Sequence, residues 1–205
     1  MVLPVGQTKM KIISVDFQRE FSAEGGLCYR PRPCVPFIKD LLVPFVRGRG
    51  HKVAEIISDY RLPRQGGGFH ACVPGTWGYE SEVPADVKDG RVWVKAFSSP
   101  VWVREHGGDP RREPGLPYPD HRAFSEWLKA TVGTPEDDAE VILIGLTVDG
   151  CVLSALQELR YIGYRVRVLA EAVDTYSGDA GEKEFLLAKV IPYWGRPVAW
   201  GQLNP

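Results

Sequence analysis

The residues best suited to do chemistry in this chain are a carboxylate, an amine and a thiol, at Asp16, Lys95 and Cys151. Asp16 and Lys95 each stand at the end of a short apolar run, and Cys151 follows another such run through a turn at residues 146–150. An ionisable group in that position is costly to remove from water unless it has a partner. Because all three occupy equivalent places, the sequence predicts that they share one site.

Cys151 is predicted to open a helix directly after that turn. The free amides and partial positive charge of a helix N-terminus stabilise a thiolate and lower the pKa of a thiol by more than about one unit. This position favours a nucleophile, with a buried structural cysteine as the alternative. For Asp16 and Lys95 taken singly, the alternative is a helix cap or a surface salt bridge.

Six short runs rich in β-branched residues recur along the chain, and the segments between them often have helical spacing. The runs are residues 11–15, 53–58, 91–94, 140–145, 164–169 and 197–200. This alternation predicts an α/β fold, a Rossmann-like three-layer sandwich with a six-stranded, mostly parallel sheet. Several runs are almost continuously apolar, which predicts helices on both faces of the sheet. Folds of this kind bind ligands at the carboxyl ends of their strands.

Three of the intervening segments carry an apolar stripe with helical periodicity, at residues 35–46, 124–128 and 152–159. Two long connections, residues 61–78 and 106–120, are rich in proline, glycine and charge instead. We predict that both connections are loops. Loops of this length in a compact domain often form lids or binding surfaces, so we expect them to determine substrate specificity.

The composition excludes several classes of protein. The 205 residues carry 25 basic and 26 acidic side chains, for a formal charge of −1, so we expect no nucleic-acid partner. The length suits a single domain over residues 1–205. No apolar run approaches the ~20 residues that span a bilayer, and the start lacks a signal-peptide pattern. We therefore expect no membrane association and a cytoplasmic location.

The chain has four cysteines, too few and too scattered for a secreted disulfide framework, so reduced thiols are expected. A structural zinc site formed by Cys28, Cys34, His70 and Cys72 is an alternative, although their spacing matches no common zinc-binding pattern. Ordinary buried or loop thiols are the preferred interpretation, and a joint role for these residues stays open.

Five segments, in order along nearly the whole chain, resemble the isochorismatase-like cysteine hydrolases, a family that includes nicotinamidases and carbamoylsarcosine amidases. They are Val15-Asp16-Phe17-Gln18, the loop Gly75-Thr76-Trp77-Gly78-Tyr79-Glu80, Lys95, the turn Gly145-Leu146-Thr147-Val148-Asp149-Gly150-Cys151-Val152, and Gly163-Tyr164-Arg165-Val166. Each fragment alone is weak evidence. Their common order favours the fold and the activity of the family.

The resemblance implies a catalytic triad of Cys151, Lys95 and Asp16. Cys151 would attack a carbonyl carbon to form an acyl-enzyme, Asp16 would take the thiol proton and later protonate the leaving amine, and Lys95 would stabilise the thiolate. The resemblance also implies an oxyanion hole formed by the backbone N–H groups of Thr147 and Cys151, and a cis peptide between Leu146 and Thr147. The expected function is cysteine-dependent hydrolysis of a C–N bond in a small amide, carbamoyl or ureido compound.

The chain departs from the family at the metal site of nicotinamidases, which begins with Asp-x-His after the second strand. Here the corresponding residues are Asp59-Tyr60-Arg61. A guanidinium does not ligate a metal at ordinary pH, and His70 alone remains nearby. We therefore expect neither a metal nor another cofactor, and no nicotinamidase activity. Val148 also replaces a threonine that is common in the nucleophile turn.

Two groups of side chains are candidates for the substrate pocket. Arg61 and His70, in the first long loop, offer positive charge to an anionic substrate, with a solvated loop as the alternative. The aromatic candidates offer apolar walls, with core packing as the alternative; they are Phe17, Trp77, Phe97 and Tyr176. Phe97 and Tyr176 are preferred because each lies shortly after the end of a predicted strand.

Two other functions stay open. The first is a vinyl-ether hydrolase on the same fold, in which Asp16 acts as the acid and Cys151 is dispensable. The second is a non-catalytic binding protein that keeps the fold. The presence of Cys151 favours the amidase. The expected partners are a small-molecule substrate and, by analogy with the family, further copies of the chain in a homodimer or homotetramer.

Overall fold

The computed structural model describes residues 10–62, 70–137 and 140–203. Its centre is a six-stranded sheet with the strand order β3-β2-β1-β6-β7-β8, in which every neighbouring pair is parallel. The strands in chain order are β1 (Lys11–Val15), β2 (Val53–Ser58), β3 (Lys88–Lys95), β4 (Trp102–Arg104), β5 (Pro117–Pro119), β6 (Glu140–Leu146), β7 (Arg165–Asp174) and β8 (Arg196–Val198). Strands β4 and β5 form a separate antiparallel pair.

The helices are α1 (Arg19–Ser22), α2 (Cys34–Phe37), α3 (Val43–Gly48), α4 (His121–Val132), α5 (Cys151–Ile162), α6 (Ala180–Phe185) and α7 (Trp200–Leu203). A π-helical turn at Ile38–Leu42 joins α2 to α3, and another at Leu186–Val190 follows α6. Residues 34–48 therefore form one helical segment that contains the predicted stripe at residues 35–46. None of the helices in the described ranges is long and apolar enough to cross a bilayer.

Both faces of the sheet are covered, because successive strand residues point to opposite sides. Ile12 of β1 packs in one apolar cluster with Ile38 of the helical segment. Its neighbour Ile13 packs in a second cluster with Phe124 of α4 and Leu156 of α5. These alternating contacts produce the three layers, and the predicted α/β class with a six-stranded sheet is confirmed.

The chain reverses its direction of winding between β1 and β6, which are neighbours in the sheet. β2 and β3 lie on one side of this pair, and β7 and β8 lie on the other. In doubly wound sheets the carboxyl ends of the strands leave a crevice at such a reversal, and ligands bind there. Helix α5 begins close to this point, because it follows β6 after a turn of four residues (147–150).

The connections differ from the sequence-based predictions in two places. Residues 106–120 were expected to be a loop, but β5 lies within them and pairs with β4. The two prolines of β5 hide its strand character, since proline lacks the N–H that a central strand needs and is tolerated only at sheet edges. β7 continues to Asp174, five residues beyond the predicted end at residue 169. Of the predicted loop 61–78, residues 63–69 lie outside the described part of the chain.

Candidate active site

Asp16, Lys95 and Cys151 lie together at the carboxyl edge of the sheet. The Lys95 ammonium donates to Asp16 Oδ2 at 2.8 Å, and its Nζ lies 3.3 Å from the sulfur of Cys151. Asp16 follows β1, Lys95 ends β3, and Cys151 is the first residue of α5. The Asp16 and Lys95 side chains are 0% exposed, so this is an ion pair shielded from water beside a thiol.

Backbone geometry at the end of β1 brings its neighbour β6 unusually close. Val15 pairs with Gly145, which has a φ of +108°, and a Cβ at Gly145 would lie 2.1 Å from the Val15 carbonyl oxygen. Only glycine fits this approach. Asp16 itself has a φ of +48°, in the left-handed region that aspartate tolerates better than most residues. The chain therefore leaves β1 through a conformation that few side chains allow.

Gln18 fixes the positions of three segments around the site. Its side-chain amide donates to the carbonyl oxygens of Ser58 (3.1 Å) and Tyr79 (2.9 Å), and its Oε1 accepts from the Ser58 N–H at 2.8 Å. The fully buried side chain thus ties the end of β1 to the end of β2 and to the loop at residues 75–80. In that loop a Cβ at Gly78 would lie 2.0 Å from Glu20 Oε2, which explains the glycine.

Two hydroxyl groups complete the cluster around Lys95, and sequence reasoning missed both. Lys95 Nζ donates to Ser58 Oγ at 2.7 Å and to Tyr60 Oη at 2.8 Å. Ser58 Oγ in turn donates to Asp16 Oδ1 at 2.9 Å, and Tyr60 Oη lies 3.5 Å from the sulfur of Cys151. The available signal was position, since both residues stand at the end of β2, between the strands that carry Asp16 and Lys95.

The electrostatics of the cluster keep the Cys151 thiol protonated at rest. Burial raises the pKa of Cys151, the nearby Asp16 carboxylate raises it further, and the Lys95 ammonium lowers it only in part. Burial by itself lowers the pKa of Lys95, but Asp16 and Cys151 outweigh burial and hold that pKa well above its ordinary value. The lowered thiol pKa argued from the helix N-terminus is therefore not found. The sulfur needs a base, and Asp16 is the adjacent carboxylate.

The turn before Cys151 has the cis peptide bond at Leu146–Thr147 that the resemblance implied. The Val148 N–H donates to the Asp174 carbonyl oxygen at 2.9 Å, and the Val152 N–H donates to the Thr147 carbonyl oxygen at 3.0 Å. Within the described ranges, the N–H groups of Thr147 and Cys151 donate to no backbone carbonyl. Two backbone donors of this turn therefore remain available beside the sulfur.

Arg61 and Asp59 form an ion pair next to Tyr60. The Arg61 guanidinium donates to both Asp59 carboxylate oxygens, and its other N–H groups donate to the carbonyl oxygens of Asp109 (2.8 Å) and Arg112 (2.9 Å). Asp59 Oδ2 also accepts from the Gly108 N–H at 2.8 Å. Arg61 thus anchors the second long connection to the end of β2, with its charge neutralised by Asp59.

These contacts do not fit a metal site at Asp59-Tyr60-Arg61. Both Asp59 oxygens are already engaged by Arg61 or Gly108, and a guanidinium is not a ligand. His70 is exposed, and its ring contacts the Arg61 carbonyl oxygen. Among residues 10–62, 70–137 and 140–203, no three His, Cys, Asp or Glu side chains are grouped so that they could hold a metal ion.

The aromatic pocket candidates fall into two groups. Phe97 and Tyr176 contact the site through their backbones: the Phe97 carbonyl oxygen accepts from Lys95 Nζ at 3.2 Å, and the Tyr176 N–H donates to the Asp149 carboxylate at 3.1 Å. Phe17 is buried in the core, and Trp77 is exposed under the Arg19 guanidinium. These two hydrogen bonds therefore connect Phe97 and Tyr176 to the carboxyl edge of the sheet.

The other three cysteines are free thiols buried away from solvent, at Cys28, Cys34 and Cys72. They form no metal-binding group with His70 within the described residues. Burial, and secondarily the Glu20 carboxylate, raises the pKa of Cys28 from 9.0 to about 12. Burial also raises the pKa of Cys34 and of Cys72. These thiols are neutral core side chains.

We expect this chain to lose stability steeply above pH 9. Unfolded thiols ionise there, but Cys28 stays protonated in the folded state up to about pH 12. The unfolded state then binds fewer protons, so the free energy of unfolding falls by about 1.4 kcal/mol per pH unit for each such thiol. The free energy of unfolding, measured with urea between about pH 9.5 and 10.5, should fall with pH less steeply in Cys28→Ala than in the wild type. The difference between the two slopes should be about this amount. Parallel slopes in the variant and the wild type would contradict the assignment, whatever cavity the substitution leaves.

Solved structures with the same fold are hydrolases. The structure is similar to an isochorismatase-like hydrolase from Alkaliphilus metalliredigens (TM-score 0.65, 18% identity, 96% of this chain and 98% of that chain covered). It is also similar to pyrazinamidase of Pyrococcus horikoshii in complex with zinc (0.63, 18%, 94% and 100%) and to N-carbamoylsarcosine amidase from Thermoplasma acidophilum (0.58, 21%, 94% and 96%). No family model and no curated protein matches the chain. The resemblance in fold that the sequence motifs indicated is confirmed.

Proposed function

We propose that this chain, which has the fold of the isochorismatase-like hydrolases, is a cysteine-dependent amidohydrolase. Its substrate is a small molecule with an amide, carbamoyl or ureido C–N bond. The single observation that carries the proposal is the buried Lys95 ammonium, 2.8 Å from the Asp16 carboxylate and 3.3 Å from the Cys151 sulfur. A carboxylate, a cation and a thiol in contact supply the base, the charge stabilisation and the nucleophile of acyl transfer.

The first step forms the acyl-enzyme. Asp16 takes the proton of the Cys151 thiol as the sulfur attacks the carbonyl carbon, and the carbonyl π electrons move onto oxygen. The N–H groups of Thr147 and Cys151 donate to that oxyanion. Asp16, now a neutral acid, gives its proton to the leaving nitrogen as the C–N bond breaks. The amine departs, and the acyl group stays on sulfur as a thioester.

The second step returns the enzyme to its starting state. Asp16 accepts a proton from a water molecule whose oxygen attacks the thioester carbon. The C–S bond breaks, and the thiolate that leaves is stabilised by the Lys95 ammonium and reprotonated from Asp16. The sum is amide plus water giving acid plus amine. No metal ion takes part in the proposed steps, since Arg61 engages the carboxylate of Asp59.

The position of Cys151 supports the covalent reaction over vinyl-ether hydrolysis. An acid-catalysed route needs a proton donor such as Asp16 but gives the sulfur no task. Cys151 nevertheless lies at the start of α5, in reach of the cation and beside two backbone donors. Cys34, by contrast, is a buried core thiol whose backbone N–H donates to Asp174, and among the described residues no ammonium group is hydrogen-bonded to its sulfur. Amide chemistry makes use of every group in the cluster.

Intact-protein mass spectrometry tests this function with a panel of small amides, carbamoyl compounds and ureido compounds. We expect at least one compound to leave its acyl mass on the protein, with the adduct located at Cys151 by peptide mapping. The adduct should persist in Cys28→Ala, which removes a different buried thiol, and should disappear in Cys151→Ala. Turnover of a vinyl ether that survives Cys151→Ala would contradict the amidase. No adduct and no turnover across the panel would favour a binding protein.

A further inference from the structure

The Lys95 ammonium has more acceptors around it than it has protons. Five acceptor atoms of the described residues lie within 3.3 Å of Nζ: Ser58 Oγ at 2.7 Å, Asp16 Oδ2 and Tyr60 Oη at 2.8 Å, the Phe97 carbonyl oxygen at 3.2 Å and Cys151 Sγ at 3.3 Å. An ammonium group donates three hydrogen bonds. The ammonium therefore shares its three protons among these five atoms, and its contact with the sulfur at 3.3 Å competes with four oxygen acceptors.

The hydroxyl groups of Ser58 and Tyr60 connect the Lys95 ammonium to Asp16 and to Cys151, respectively. Ser58 Oγ accepts from Lys95 and donates its own proton to Asp16 Oδ1 at 2.9 Å. Tyr60 Oη also accepts from Lys95 and lies 3.5 Å from the Cys151 sulfur, a contact in which either atom can be the donor. Since the oxygen already accepts from the ammonium, its own proton can be donated to the sulfur. A hydroxyl that accepts from a cation becomes a stronger donor, because hydrogen bonds in a chain polarise one another. Each hydroxyl therefore links the cation to one reacting partner.

We propose that Tyr60 is a further catalytic residue, whose hydroxyl donates a hydrogen bond to the Cys151 sulfur and stabilises the thiolate when it forms and when it leaves the acyl group. The proposal deepens the amidohydrolase function and rests on Cys151 being the nucleophile. Asp16 stabilises the system by accepting the thiol proton, and Lys95 by its charge. Tyr60 supplies a second donor to the sulfur, beside the Lys95 ammonium.

Tyr60 keeps its proton throughout. Burial, and secondarily Cys151, raises the pKa of the Tyr60 hydroxyl, so the phenol remains a neutral donor. The thiol proton passes to Asp16 alone, and Tyr60 only shares its hydrogen with the negative sulfur. No bond to the phenol is made or broken, and the proton count of the acyl-transfer steps is unchanged.

The contacts of the Tyr60 ring and backbone do not depend on its hydroxyl, so a substitution can remove the hydroxyl and keep those contacts. The Lys95 Nζ lies 5.0 Å from the centroid of the ring, and the backbone carbonyl of Tyr60 accepts from the Ala71 N–H at 3.3 Å. The Asp59–Arg61 ion pair holds the residues on either side. Tyr60→Phe preserves the ring, the cation–π contact and these anchors, and removes the hydroxyl alone.

The test follows the alkylation rate of Cys151 by iodoacetamide across pH, with peptide mass spectrometry to separate Cys151 from the other three thiols. In Tyr60→Phe we expect the inflection of the rate profile to rise by about one pH unit and the rate below it to fall about tenfold, the usual worth of a hydrogen bond to a charged group. The matched control is Tyr164→Phe. Tyr164 directly precedes β7, at the opposite edge of the sheet from the site. Its buried hydroxyl donates to the Gly133 carbonyl oxygen at 2.7 Å. This control should leave the profile unchanged.

A second variant keeps the proposal testable if Tyr60→Phe does not fold. Replacing Tyr60 by 3-fluorotyrosine keeps the hydroxyl and makes it a stronger donor, so the inflection should move to lower pH. Profiles of both variants that superimpose on the wild type would overturn the role of Tyr60. They would show that, of these two donors, Lys95 alone stabilises the sulfur.

Alkylation needs no substrate, so the two proposals can fail separately. A shifted profile in Tyr60→Phe with no acylation by any amide would refute the amidohydrolase and leave Tyr60 as the donor to a reactive thiol. Acylation of Cys151 with an unshifted profile would refute Tyr60 alone.

Discussion

Replacing Asp16 by asparagine is expected to slow amide cleavage by about 10²–10⁴-fold, the usual contribution of a positioned general base. Asparagine has nearly the same shape as aspartate but accepts no proton. Burial is the largest cause of the raised pKa of Cys151, and it still acts in the variant, although the Asp16 charge that also raises this pKa is removed. The thiol then has no adjacent carboxylate to take its proton. A cysteine that rested as a thiolate would lose far less. The size of this loss therefore reports the resting state of the sulfur.

The measurement is the rate of acyl-enzyme formation in a single turnover, which separates chemistry from product release. A matched control is Asp120→Asn, since Asp120 caps α4 by accepting from the Ala123 N–H at 2.8 Å and asparagine caps equally well. This control should keep full activity. A loss below about tenfold in Asp16→Asn would contradict Asp16 as the base that activates the thiol.

Replacing Lys95 by methionine is expected to lower the free energy of unfolding by about 3–5 kcal/mol. The substitution leaves the Asp16 carboxylate in a site that is 0% exposed with no cation to neutralise it, and breaking a buried pair in this way has that typical cost. For a chain of this size the loss corresponds to a fall in melting temperature of roughly 6–20 °C. Urea unfolding at neutral pH measures it directly.

A double variant separates the charge from the packing. In Lys95→Met combined with Asp16→Asn no charge of the pair remains, so the double variant should be more stable than the sum of the single losses predicts. The surface control is Arg122→Met, which removes an exposed ion pair with Glu126 on α4 and should leave the midpoint of unfolding close to that of the wild type. Strict additivity of Asp16→Asn and Lys95→Met would contradict the coupling of the two buried charges.

Local sequence pattern was enough to predict the sheet and the three residues at its carboxyl edge. Runs such as residues 11–15 and 53–58 are short, apolar and β-branched, so local pattern is enough to identify them as buried strands. Parallel strands bring their carboxyl ends to one edge, so the residues that follow β1 and β3 had to be close to each other once those strands were known. The meeting of Asp16, Lys95 and Cys151 followed from that rule.

The hydrogen bonds among these groups depend on contacts that form only when the chain folds. Ser58 and Tyr60 contact Lys95 across 37 and 35 residues of sequence, through side-chain distances that no local pattern encodes. For the same reason the sequence predicted a lowered pKa for Cys151, whereas the folded structure raises it. The helix N-terminus can be predicted from sequence, but burial and the proximity of Asp16 exist only after folding. Strand identity is a property of neighbours along the chain. Hydrogen-bond partners and desolvation are properties of neighbours in space, and these determine which atom gives up a proton.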